Sequence, residues 1–138
     1  MISGPKVRAG LRSKSFVTGA FENALAPGEL LQGIRIPRLS SRGRWGYNKL
    51  CRKAGEFALA IGAVLDDRER GRFRAVIGAT RGRPIIVTDA RKVRRSDGTG
   101  LDEAPVLRLF DQHGITDRAA RRQHIAVLAR ALDQATGA

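Results

Sequence analysis

The feature that most constrains this chain lies in its middle, where two apolar segments answer each other across a charged turn. "FALAIGAVLD", residues 57–66, is a near-continuous apolar run that by itself suits a buried strand or a short helix. Gly62 within it, and the "DDRERG" turn after it, favour a strand that reverses at 66–71. "RFRAVIGA", 72–79, then alternates Phe73, Ala75 and Ile77 against Arg72, Arg74 and Val76, as a half-buried partner strand should. A hairpin with one apolar face needs more strands and a covering layer. "RWGYNKLC", 44–51, supplies one, with Trp45, Tyr47, Lys49 and Cys51 on one face and Gly46, Asn48 and Leu50 on the other. "PIIVTD", 84–89, reads as a further short strand, and "LLQGIRIP", 30–37, as a half-buried one stopped by Pro37. A charged loop over 91–100 leads to two helices, about 101–112 and 117–135. The second has Asp117 placed to cap it and a stripe of Ile125, Leu128, Leu132 and Ala135. Strands followed by helices predict an α+β sandwich, with one sheet face covered by the helices.

Residues 1–29 carry Gly and Pro at 4, 5, 10, 19, 27 and 28 and read as loop and turn. They are expected to be a linker or the remnant of a preceding domain, with 30–138 as the folded domain. Phe16, Phe21 and Leu25 in this lead should pack against something the chain only partly provides, so a homodimer or another self-association that covers them is expected. No apolar run reaches the ~18 residues of a membrane span, and no signal peptide is read, so a cytoplasmic chain without membrane partners is expected. Cys51 is the single cysteine, which suits a reducing compartment and excludes an internal disulfide or a cysteine-built zinc site.

The net charge of +13 attracts polyanions. The cations are spread along the whole chain, however, and aromatics make up only 5% with no stacking series. Nucleic-acid binding beyond weak, sequence-indifferent, salt-sensitive association is therefore not expected. Catalytic chemistry is sparse. His113 and His124 stand on different helices, away from any carboxylate pair, and read as helix-surface residues. "DDRE", 66–69, reads as a solvated turn, and no Gly-rich phosphate loop appears. No catalytic residue and no metal site is assigned.

Three stretches, in order, carry a resemblance. "FVTGAFENALAPGELLQGIRIP" resembles the pattern F-x-T-G-x-x-x-T-x-L-x-P-G-E followed by a strand ending in Pro. "GYNKLCRKAGEFALAIGAV" resembles Y-x-K-x-x-R-x-x-D-x-A, and "DRAARRQHIAVLARALDQA" resembles a C-terminal helix Y-R-x-x-x-x-x-x-L-x-x-x-A-L. Together, from about 16 to 136, they are similar to the last part of the FAD-binding medium subunit of molybdenum hydroxylases, the family of carbon monoxide dehydrogenase and xanthine dehydrogenase. The departures are Glu56 where the family has Asp, Ala119 or Ala120 where it has an aromatic, and a shortened 88–116 segment.

The resemblance implies an α+β C-terminal domain, an antiparallel sheet of three to four strands packed on two to three helices, whose "YNKLCRK" strand and turn lie near a flavin. Lys49 is the first implied FAD contact, Tyr47 shares its face, and Arg52 and Lys53 add positive charge. FAD is implied for the whole parent subunit. The family's two Gly-rich FAD loops precede this region, so the chain alone is expected to bind none tightly. The implied partners are the preceding FAD-binding domain and the iron–sulfur and molybdopterin subunits of an oxidoreductase. The chain would form one wall of the FAD cleft and a subunit-docking surface, without catalysing anything alone. The alternative is a stand-alone basic domain that binds nucleic acid or protein.

Overall fold

A computed structural model describes residues 2–3, 8–9 and 13–137 of the chain. It divides into two compact units, Met1–Arg38 with Thr80–Pro84, and Leu39–Ala79 with Ile85–Ala138.

The first unit is built of very short elements. They are β1 (Ile2–Ser3), β2 (Arg8–Ala9), a single helical turn α1 (Ser13–Phe16), β3 (Val17–Gly19), β4 (Glu22–Asn23) and β5 (Leu30–Leu31). β1 pairs antiparallel with both β2 and β5, and β3 pairs with β4 across a register irregularity. The Arg83 Nε donates to the Thr18 carbonyl at 3.4 Å, which ties 80–84 to β3. Residues 1–29 thus hold small ladders as well as turns, too short to leave a period in the sequence. The strand expected over 30–37 shrinks to β5, and Ile34 and Ile36 are 76% and 82% exposed. Among the described residues no strand pairs with the segment beyond Leu31, and Pro37 removes a donor, so extension is not rewarded.

The second unit carries the expected α+β fold. β6 (Arg44–Leu50), β7 (Ala60–Asp67), β8 (Arg72–Gly78) and β9 (Ile85–Val87) form an antiparallel sheet in sequential order. A 3₁₀ turn at Arg68–Arg70 and Gly71, at φ 63°, close the β7–β8 hairpin. A second 3₁₀ turn, Ala90–Val93, follows β9 where sequence reading expects only loop. α2 (Glu103–Gln112) and α3 (Arg118–Thr136) cover one face. Asp102 caps α2 by accepting from the Ala104 N–H at 3.1 Å, and Asp117 caps α3 by accepting from that of Ala120 at 2.6 Å. The core lies between sheet and helices, with Val64, Phe73, Ala75, Ile77, Ile85 and Val87 meeting Val106, Phe110, Leu128 and Leu132.

Two glycines set how closely α3 approaches. A Cβ on Gly46 would stand 1.9 Å from the Ala131 carbonyl oxygen, and one on Gly62 would stand 2.6 Å from that of Val127. Ala131 and Ala135 on the helix are fully buried, so small residues meet on both sides of the seam. The helix also serves the sheet edge: Gln134 Oε1 accepts the Tyr47 backbone N–H at 3.0 Å, on the outermost strand.

His124 corrects the surface reading. It is 3% exposed, with Nδ1 at 2.8 Å from the Ala120 carbonyl oxygen and Nε2 at 3.1 Å from that of Gly78. Its ring meets Phe110 edge-on at 5.9 Å, so it ties α3 to β8 as part of the core. His113, by contrast, is exposed at the end of α2, as expected.

Candidate functional site

With helices over one face of the sheet, the other face of β6–β9 is left to side chains of opposite parity. Register places them in rows. Trp45 lies opposite Leu65, which faces Arg74. Tyr47 lies beside Ala63, then Val76, then Ile86. Lys49 lies beside Ile61. Trp45 is 67% exposed and Tyr47 43%, while Ile61, Ala63, Leu65 and Val76 are half-buried. The result is a flat apolar floor with two aromatic side chains at its β6 edge and a cation at either end. Such a face can take a planar ring against it, with Lys49 free to meet a polar edge.

Tyr47 and Lys49 are therefore brought together, two residues apart on one strand and about 7 Å along it. Lys49 is exposed and makes no ion pair or side-chain hydrogen bond among the described residues. Arg52 and Lys53 sit in the connection after β6, both exposed. That connection is closed by the Leu59 N–H donating to the Leu50 carbonyl at 2.7 Å, and by Gly55 at φ 85°. Arg52 Nε lies 3.5 Å from Glu56, an exposed pair four residues apart. Glu56 thus occupies Arg52 in part, as a solvated turn would. Phe57, 82% exposed, stands in the same connection. Cys51 is half-buried at its start. Trp45 shares the Tyr47–Lys49 face, as strand parity requires. The floor from β7 and β8 was not singled out in the sequence, because a half-buried outer face looks apolar in the same way as a core face.

At the other end of β7, Asp67 is fully buried, and its carboxylate accepts from the Ser40 hydroxyl at 2.5 Å and the Ser40 N–H at 3.2 Å. The Ser40 hydroxyl, more than any other group, holds this carboxyl below its ordinary value, against desolvation that pushes it up. This is a structural anchor for the 39–43 segment. Among the described residues no three His, Cys, Asp or Glu side chains gather to hold a metal, and no helix is long and apolar enough to cross a membrane.

Fold and face together define an α+β domain with helices on one side of an antiparallel sheet and an open aromatic and cationic face on the other. Comparison with known proteins places that domain. The chain belongs to the carbon monoxide dehydrogenase medium-chain family, as its C-terminal part. It is 35% identical over 105 residues to the carbon monoxide dehydrogenase medium chain of Afipia carboxidovorans, covering 74% of this chain and 36% of that protein. It is 32% identical over 65 residues to the same-named protein of Hydrogenophaga pseudoflava, covering 47% of this chain and 23% of that one. The chain thus spans about a third or less of the curated relatives it matches. No family-wide sequence profile matches it, and no solved structure does.

Proposed function

We propose that this chain serves as the C-terminal domain of a flavoprotein subunit of a molybdenum-hydroxylase oxidoreductase, where its open sheet face forms one wall of the FAD cleft. The observation that carries the reading is the placement of Tyr47 and Lys49 side by side on an exposed strand face, within the stretch that resembles the family's Y-x-K block. When bound, FAD supplies electron transfer between an iron–sulfur subunit and an acceptor. The residues of this chain do something simpler. The Tyr47–Ala63–Ile61 floor excludes water from one side of a ring, and Lys49 offers charge to an edge that carries negative charge. Arg52 and Lys53 widen the positive rim, with Arg52 already shared with Glu56. The preceding FAD-binding domain supplies the phosphate cradle, and the turn around Phe57 faces the docking subunits.

The test joins this chain to the upstream part of a medium chain that holds the phosphate loops, and reads flavin retained per subunit after desalting. Lys49→Ala should weaken retention about tenfold, the size of one charge-assisted contact. Arg68→Ala, in the distant hairpin turn, should leave it unchanged. Equal retention in all three proteins would remove Lys49 and this face from the flavin.

A further inference from the structure

The β7–β8 hairpin and the loop after the second 3₁₀ turn enclose a cavity of about 490 Å³. Its wall holds five arginines: Arg68 and Arg72 from the hairpin, Arg91 from the second 3₁₀ turn, and Arg94 and Arg95 from the loop after it. Gly71, at φ 63°, and Gly98, at φ 80°, line it in a backbone conformation that strains residues with a Cβ. From this cavity we infer a binding site for a small oligophosphate anion, distinct from the Tyr47 and Lys49 positions.

Two of the arginines are held by carboxylates. Asp66 takes Arg68 at 2.9 Å, and Arg68 lies over the Phe73 ring at 5.2 Å. Asp89 takes Arg91 through two contacts of 2.8 and 2.9 Å. Asp97 beside Arg95 is turned instead to the Thr99 N–H and hydroxyl, both at 2.7 Å. Five guanidinium groups thus face three neighbouring carboxylates, which leaves positive charge in excess at the cavity wall. Arg72 has no carboxylate partner among the described residues, and the Arg94 Nε is buried with no acceptor. A buried guanidinium N–H without an acceptor is costly, so the fold keeps Arg94 here against a penalty.

The chemistry favours phosphate over other anions. Guanidinium forks match phosphate oxygens two at a time, and arginines from two separate segments suit a ligand with more than one phosphate. Phe73, the aromatic ring in the wall, is 6% exposed and already covered by Arg68, so no free ring face is offered to a nucleobase. Recognition is therefore of the phosphate chain. The cavity also lies at the far end of the sheet from Lys49. Ile61, opposite Lys49, and Asp67 at the hairpin are six residues apart on β7, about 20 Å.

Titration calorimetry of the whole chain with sodium triphosphate, at low salt, tests this. One triphosphate should bind per chain, with orthophosphate at least about tenfold weaker. Arg72→Gln with Arg95→Gln should weaken triphosphate about tenfold or more. Arg118→Gln with Arg122→Gln, an equal charge change on exposed α3 positions, should leave affinity within about twofold. Unchanged thermal melts would show that both variants fold. Several triphosphates per chain, equal losses in the two variants, or no binding would overturn the site in favour of diffuse attraction to a +13 protein. Duplex DNA binding tighter than triphosphate, and lost equally in both variants, would do the same. None of these outcomes depends on the flavin reading, which rests on Tyr47 and Lys49 toward the other end of the sheet.

Discussion

At the scale of single residues, the decisive positions are those where the sequence offers a small or polar group and the fold leaves no choice. Gly46 shows this. In "RWGYNKL" it reads as a gap in strand alternation, yet it is the point where the α3 backbone touches the sheet. Because the obstruction is main chain, no rotamer change relieves it. Gly46→Ala should cost about 3 kcal/mol or more, the upper end of overpacking, while Gly82→Ala in an open turn should change little. Chemical denaturation of the two variants measures the difference. Asp67 was read with its neighbours as a solvated turn, because burial by a segment 27 residues away leaves no local mark. Its sign in pH is fixed by the direction of its shift. The unfolded carboxyl has its ordinary value of about 3.8, and the folded one lies lower. The stability it contributes is present above 3.8 and is lost as pH falls through the folded value. Asp67→Asn should therefore melt below the parent at neutral pH, with the gap narrowing as pH drops under about 3.8. A constant gap down to strongly acid pH would remove the ionised form from the argument.

At the scale of elements, legibility followed periodicity and length. β6, β7, β8, α2 and α3 each carry enough residues for a period to show, and all five lie where the sequence places them to within a few residues. The paired elements of two or three residues in the first unit carry no period. The expected strand through Ile34 and Ile36 failed because a strand is a property of pairs. His124 was misplaced for a related reason. It lies one residue before Ile125 and was counted polar, whereas its ring bridges α3 to the Gly78 carbonyl. The helix ends were more readable, since capping is local. Asp117 was foreseen as a cap and accepts from Ala120. Asp117→Ala should cost about 1 kcal/mol of stability, and Asp117→Asn a few tenths. A thermal melt that shows no loss for the alanine variant would mean that packing alone sets the start of α3.

At the scale of the whole molecule, the open sheet face was half legible. Strand parity put Trp45, Tyr47 and Lys49 together, while the union of Thr80–Pro84 with the lead segment depends on contacts that no local pattern records. The arginine cavity was also hidden, because its walls come from "DRERGR" and "RKVRRSDG", each of which reads as a solvated charged turn on its own. The proposed role makes the β6 face a wall against a flavin. Trp45 is the sole tryptophan of the chain and lies on that face, 67% exposed, so it reports directly on what covers it. The measurement is the tryptophan emission of this chain joined to the upstream part of a medium chain, taken as the difference from its Trp45→Phe variant. In the isolated chain Trp45 should emit as a solvated indole and be quenched freely by iodide. In the joined, flavin-loaded subunit the account predicts protection from iodide and strong quenching by the flavin itself. Trp45 emission as bright and as iodide-accessible in the loaded subunit as in the isolated chain would contradict it.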